Sequence, residues 1–220
     1  DLDDGQRRGI NTEVYTTNEI VRLAKVGFEI AMERKGLVHS VEKANVMESG
    51  ILWREEVKKL HETKFSNITL LNMYADNCAM QLVKNPSQFD VIITGNLFGD
   101  ILSDISAELT GSLGMLPSAS LGERIADRRK SLYEPVHGSA PDIAGKNIAN
   151  PIAMIMSFSM LLEHSFYDQK TSKVIEKSVE NVLENGYRTK DICQDDTKEV
   201  STSDMGELIC EEFKSLSKNI

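Results

Sequence analysis

A short apolar run, Asp90-Val91-Ile92-Ile93-Thr94, passes directly into Gly95–Asp104, GNLFGDILSD. The run reads as a buried strand and the stretch after it as a helix. A strand feeding straight into a helix is the repeating unit of layered α/β proteins, so this stretch restricts the architectures open to the chain. Asp100 and Asp104 stand four apart near the start of the expected helix, which puts both carboxylates on one face. Like charges so placed destabilise an isolated helix, and a positive group is expected opposite them. Magnesium or manganese, which take hard oxygen ligands, would serve. A solvated acidic helix start, favoured by the helix dipole, explains the same pair. On spacing alone the solvated start is preferred.

The preceding chain repeats the strand–helix pattern. Thr16-Thr17-Asn18-Glu19 has the form of a capping box, and Ile20, Leu23, Ala24, Phe28 and Ala31 follow at helical spacing. The spacing predicts a helix to about Lys35 with Gly36 as its stop. Tyr15, just before the cap, is expected to make a staple or core contact. Residues 37–41 are expected to form a strand in which His39 is hydrogen-bonded. Residues 51–60 form the next helix, with Trp53 as a core or interface anchor. Residues 68–74 form the next strand, and Asp76 begins a helix ending near Pro86. Lys43, Asp76 and the Asp100/Asp104 pair thus each fall just past a strand end, where ligands bind in open α/β sheets.

The second half is richer in small residues. Gly111–Ser120 reads as a hinge or tight crossing, and Ala126–Lys130 (ADRRK) as an exposed basic loop. Glu134–Lys146 is dense in Gly, Pro and Ala, and runs into Asn147-Ile148-Ala149-Asn150-Pro151. Small residues let backbone N–H groups approach a ligand closely, and two prolines and two glycines in one long loop favour a binding role over a plain connection. Helices are expected from Pro151 to about His164, over 169–184 with Gly186 closing, and from about Ser203, burying Met205, Leu208, Ile209, Phe213 and Leu216.

Composition narrows the function classes. A net charge of −9 over 220 residues argues against nucleic acid or an anionic membrane as main partner. Cys78, Cys193 and Cys210 form no C-x-x-C pair and are expected to be reduced thiols of a cytoplasmic protein. No apolar run is long enough to span a bilayer. The polar opening Asp1–Gly9, without Met, reads as the interior of a longer protein. No G-x-G-x-x-G, Walker loop, G-x-S-x-G or H-E-x-x-H is present, so a Rossmann site is unsupported.

Three segments carry a resemblance: Val41–Arg54 (VEKANVMESGILWR), Asn72–Ser120 and Leu132–Pro151 (LYEPVHGSAPDIAGKNIANP). Through them the chain closely resembles the 3-isopropylmalate dehydrogenase family, within the metal-dependent β-decarboxylating dehydrogenases. The resemblance implies a three-layer α/β fold of the isocitrate/isopropylmalate dehydrogenase type, truncated at its N-terminus. It divides the chain into a dimerising substrate–metal domain, 1–111, and the C-terminal part of an NAD-binding domain, 112–220.

The resemblance also implies roles. Lys43 looks like the lysine that accepts the substrate hydroxyl proton, and Asp76, Asp100 and Asp104 like the aspartates for Mg2+ or Mn2+. In the family Lys43 and Asp76 come from one subunit and Asp100 and Asp104 from the other, which requires a homodimer. Glu134, His137, Gly138, Ser139, Ala140, Asp142, Ile143 and Asn150 look like the NAD-binding loop. Asp142 is placed to accept from the adenosine ribose, and a carboxylate there would repel a 2′-phosphate, favouring NAD over NADP. The implied reaction is NAD-dependent oxidative decarboxylation of 3-isopropylmalate, a small 2-hydroxy acid, in leucine biosynthesis. Alternatives are a tartrate- or malate-type decarboxylating dehydrogenase and a non-catalytic binding subunit. The family's acid tyrosine and substrate-clamping arginines lie upstream of the segment matching Asp1, so the 220 residues alone are expected to be inactive. Tyr15, in its NTEVY context, is not that tyrosine.

Overall fold

The computed structural model describes residues 7–125 and 128–218, with the side chains of all of these except 123–125 and 128. Six residues of the expected polar opening, and Ala126 and Asp127 of the expected basic loop, lie outside the described residues. The chain divides into two compact units, Asp1–Ile105 and Ser106–Ile220.

The first unit is a three-stranded parallel sheet between helices. Its elements are α1 (Thr17–Met32), β1 (Leu37–Glu42), α2 (Glu48–Lys64), β2 (Thr69–Tyr74), α3 (Ala75–Lys84), β3 (Val91–Thr94) and the start of α4 (Asn96–Thr110). The strand order is β2-β1-β3, so β1 is central, and side-chain alternation along it divides the core. Val38 joins Ile20, Ala24 and Phe28 of α1 and Trp53, Val57 and Leu60 of α2 on one face. Val41 joins Ala75, Cys78 and Leu82 of α3 and Leu102 of α4 on the other. These are the three expected layers. Glu19 accepts from both the Thr16 backbone N–H and its hydroxyl, as the capping pattern predicts. Gly36 ends the α1 connection with φ +71°, a left-handed geometry that glycine adopts freely.

Two expectations change here. His39 is buried against Phe89, ring centroids 4.6 Å apart, and its Nδ1 has no hydrogen-bond partner. Burial among apolar groups favours the neutral imidazole and lowers its pKa. The acidic pair does not open α4. The helix begins at Asn96 with no acidic residue in its first turn, so the helix dipole does not explain Asp100 and Asp104.

The second unit holds the end of α4, an antiparallel hairpin, three helices and a two-stranded parallel pair. These are β4 (Pro117–Ile125), β5 (Arg128–Pro135), α5 (Ile152–His164), α6 (Gln169–Glu184), β6 (Tyr187–Arg188), β7 (Lys198–Glu199) and α7 (Thr202–Ser217). The hairpin's strands take in the end of the expected hinge, Pro117–Ser120, and Arg128–Lys130 of the expected basic loop. Leu121, Leu132 and Tyr133 lie within its strands, but Gly, Ser and Arg dilute the apolar alternation that would announce it. The core joins Ile152 of α5, Val179 and Val182 of α6, and Met205 and Ile209 of α7. Leu208, Phe213 and Leu216, expected inside, are only half-buried.

Asp90 ties the α1 end to the start of β3. Its Oδ1 accepts from Arg34 Nε at 2.8 Å and its Oδ2 from the Lys35 backbone N–H at 3.0 Å. Burial alone would raise the Asp90 pKa; the bonds from Arg34 and the backbone outweigh it and hold the carboxyl below its ordinary value. That contribution to stability is present above the ordinary aspartate range and is lost as pH falls through the folded-state value. Asp90→Asn is therefore expected to cost about 1–2 kcal/mol at neutral pH. Urea unfolding should show the gap to the parent protein closing as the pH is lowered to about 3.

Candidate active site

Parallel pairing sets two candidate side chains next to each other. Glu42 of β1 stands in register with Tyr74 of β2, so the residues leaving the two strands emerge side by side at their carboxyl ends. Lys43 follows β1 directly, and Asp76 lies in the first turn of α3. Lys43 Nζ reaches Asp76 Oδ1 at 2.7 Å. The lysine side chain is 21% exposed and the aspartate 64%, so the pair opens to solvent on the acid's side. The Lys43 bond holds the Asp76 carboxyl below the usual carboxylate range. Lys43 Nζ also stands 5.6 Å from the centre of the Tyr74 ring, and the Arg54 guanidinium 5.0 Å from it.

The peptide that carries Lys43 is pinned from two sides, by groups the sequence did not single out. Glu42 is 2% exposed and its carboxylate is fully engaged. Its Oε1 accepts from Arg54 Nε at 2.9 Å and from a second Arg54 nitrogen, and its Oε2 accepts from the Ala44 backbone N–H. A carboxylate this deeply buried is held only by such partners. On the other side, Gly50 in the first turn of α2 lies against the same peptide. A Cβ there would stand 2.7 Å from Ala44 N and 2.8 Å from the Lys43 carbonyl carbon. Trp53 completes the support: its Nε1–H donates to Ser40 Oγ at 3.1 Å, and its ring meets Tyr15 edge-on at 5.7 Å. The expected anchoring roles of Trp53 and Tyr15 are both present. Tyr15 does more, because its hydroxyl accepts from the Asn96 N–H at 2.7 Å and so caps α4.

Asp100 and Asp104 are exposed on α4. Their carboxylate oxygens, like those of Asp76, are of the type that suits a hard divalent cation. Among the described residues, however, no three acidic, histidine or cysteine side chains gather closely enough to hold a metal. One chain brings Lys43 to Asp76 and does not bring Asp76 to Asp100 and Asp104.

In the second unit, the end of β5 and the loop after it carry the other candidate residues. Glu134, His137, Gly138, Ser139, Ala140 and Asp142 are exposed, Ile143 is half-buried and Asn150 is buried. A Cβ at Gly138 would meet nothing within 4 Å, so the loop presents open backbone there. Ala140 at φ +42° and Asn147 at φ +56° hold left-handed conformations that turn the loop tightly. An exposed carboxylate beside accessible backbone fits a dinucleotide's ribose and phosphates. Asn150 is placed differently: its amide group donates to Asp191 and its carbonyl oxygen accepts from Ile152 N at 2.9 Å.

Gly50 offers a test of how Lys43 is held. Helix propensity alone favours Gly50→Ala by about 1 kcal/mol. The contact with the Lys43–Ala44 peptide is with backbone and cannot be relieved by a rotamer change, and overpacking of this kind costs about 1–3 kcal/mol. Gly50→Ala is expected to lower the thermal midpoint instead of raising it, a sign that calorimetry reads directly.

The family model described as "Isocitrate/isopropylmalate dehydrogenase" matches residues 1–209. A 3-isopropylmalate dehydrogenase of Gluconobacter oxydans is 58% identical over 217 residues, covering 98% of this chain and 59% of that protein. One from Pelagibacter ubique is 58% identical over 209 residues, covering 94% and 57%. The chain thus spans less than two thirds of the length of these relatives. Among solved structures, isocitrate dehydrogenase from Methylococcus capsulatus superposes with TM-score 0.85 at 35% identity, over 97% of this chain and 61% of that one. A beta-decarboxylating dehydrogenase from Thermococcus kodakarensis gives 0.83 at 33% identity, over 99% and 61%. The sequence match and the superposition agree, and the chain belongs to the isocitrate/isopropylmalate dehydrogenase family.

Proposed function

We propose that this chain carries the proton-transfer and metal-ligating groups of an NAD-dependent 3-isopropylmalate dehydrogenase of leucine biosynthesis. The observation that carries the reading is the Lys43–Asp76 pair, 2.7 Å apart at the carboxyl end of the parallel sheet. The names of the Gluconobacter and Pelagibacter relatives support this substrate over a tartrate- or malate-type acid.

In this reading Lys43, once its ammonium has released a proton to solvent, takes the proton of the substrate's 2-hydroxyl while the hydrogen on the same carbon leaves as hydride. NAD, when bound, supplies the hydride acceptor. The C–O bond becomes a carbonyl, the 3-carboxylate departs as CO2 with its bonding electrons left on carbon, and protonation of the enolate gives 2-oxoisocaproate. Asp76 orients Lys43 by accepting from its Nζ. Asp76, Asp100 and Asp104 would hold Mg2+ or Mn2+, which supplies Lewis-acid stabilisation of the developing enolate. The segment from Glu134 to Asn150 would hold NAD, with Asp142 accepting from the ribose hydroxyls. Residues 1–111 would form the dimerising domain and 112–220 the C-terminal part of the cofactor domain.

The reading includes a homodimer with Asp100 and Asp104 supplied to the partner's Lys43 and Asp76. Met80 and Val83 of α3 and Leu97 and Ile101 of α4 support it, because all four are apolar and exposed. The free thiols Cys78, Cys193 and Cys210 support a cytoplasmic location. No described helix is long and apolar enough to cross a membrane.

The experiments use a protein of its relatives' length that carries these 220 residues. NADH formation with 3-isopropylmalate and Mn2+ is expected, and activity with tartrate but not isopropylmalate would refute the substrate assignment. Lys43→Ala and Asp100→Asn are each expected to lower kcat by about 100-fold or more. Mixed after unfolding and refolding together, the two inactive variants should regain about a quarter of parental activity, because half the dimers then hold one intact site. No recovery on mixing would remove the shared site.

A further inference from the structure

The loop from Val136 to Asn150 is open in its middle and locked at its end. Asn147 accepts from Thr202 N through its backbone oxygen at 3.0 Å, and from Ser203 N through Oδ1 at 3.1 Å, which ties it to the start of α7. Three residues on, Asn150 is buried, and its Nδ2 donates to Asp191 Oδ2 at 3.1 Å and lies 3.4 Å from Met115 Sδ. Asp191 sits in a short 3-10 turn after β6, Lys190–Ile192. Its other oxygen accepts from the hydroxyl of Thr189, a residue with no exposed surface, and Ser112 also bonds it. Gly114 closes the cluster. A Cβ there would stand 2.8 Å from Asn150 Cβ and 3.1 Å from Asp191 Oδ2, so nothing larger than glycine leaves room for this pairing. Three separate segments meet on one carboxylate.

We propose that Asp191 is a positioning residue for the cofactor: by accepting from Asn150 it fixes the end of the loop in the conformation that receives the adenosine half of NAD. The inference rests on the reading of Glu134–Asn150 as the NAD loop. It adds that Asn150 works from behind the loop, because both ends of its amide are engaged inside the unit. Fixing a loop before binding removes an ordering cost that the ligand would otherwise bear, so the effect falls on affinity and not on the chemical step. Burial opposes the charge on Asp191, but the hydroxyl and amide bonds outweigh it and keep the carboxyl below its ordinary range, so the acceptor stays ionised at neutral pH.

The test is titration calorimetry of NAD with a protein of its relatives' length that carries these residues, alongside steady-state kinetics. Asp191→Ala is expected to raise the NAD dissociation constant roughly tenfold, the scale of one lost charge-assisted hydrogen bond. At saturating NAD its kcat and its KM for the hydroxy acid stay at parental values. Asp191→Asn keeps an acceptor for Asn150 and is expected to stay within about threefold of the parent. Thr189→Val, which is near-isosteric and removes one hydroxyl from Asp191, should weaken NAD in the same direction and serves if Asp191→Ala does not fold. Parental NAD affinity in Asp191→Ala or, failing that, Thr189→Val overturns the inference, as does a kcat loss at saturating NAD. Equal weakening by Ala and Asn overturns it too, because charge alone would then account for the effect. A parent protein that binds no NAD is a separate outcome: it refutes the NAD reading of the loop, and this inference with it.

Discussion

Everything at the first candidate site depends on the parallel register between β1 and β2. With Glu42 opposite Tyr74, the next residues of both strands share one end of the sheet, and Lys43 meets Asp76 without either segment departing from its local preference. A shift of one residue would send the side chains of β2 to the opposite faces and break the layered core built around Val38 and Val41. The core therefore protects the site: the alternation that buries Val38 towards α1 and α2, and Val41 towards α3 and α4, also fixes where Lys43 emerges.

The buried Glu42 carries that precision one step further. An isolated carboxylate in a protein interior is unfavourable, and its partners offset this only if they are several and well placed. Arg54 and the Ala44 N–H satisfy both Glu42 oxygens, and Arg54 in turn lies over the Tyr74 ring that Lys43 also approaches. The lysine is thus held through its own backbone by its neighbour in sequence, and its head group lies beside a ring that the same arginine covers. Gly50 makes this possible by letting α2 pass against the Lys43–Ala44 peptide. Rigidity of this kind is what the proton transfer proposed for Lys43 needs, since misplacement of about 1 Å can cost 100-fold in rate.

The strand–helix order of the first unit was legible because each element obeys its own rule. Apolar runs marked the strands, helical periodicity marked α1, and Gly36 marked a stop. Helices α5, α6 and α7 were equally visible, the last with fewer of its apolar residues fully buried than the periodicity implied. The β4–β5 hairpin was not legible, because Ser, Arg and Gly122 interrupt its few apolar residues and its strands do not alternate cleanly. Lys43 and Asp76 were placed together by motif resemblance and by their positions past strand ends. Glu42, Arg54, Gly50 and Asp191 were missed, since a buried carboxylate with its partner 12 or 41 residues away leaves no local pattern. His39 was expected to hydrogen-bond from its strand, and only the packing of Phe89 reveals why its Nδ1 does not.

The distribution of the remaining acids follows from electrostatics. Two carboxylates about 4 Å apart repel by roughly 1 kcal/mol in water and about 4 kcal/mol near a protein surface. A single chain without a cation cannot hold Asp76, Asp100 and Asp104 together cheaply, and it does not: Asp76 is neutralised by Lys43, while Asp100 and Asp104 stay in solvent, where water screens their mutual repulsion. On the proposed dimer, the acids converge only when two chains associate, and a cation between them would convert their repulsion into attraction. Association and metal binding would then favour each other, because each supplies what the other lacks.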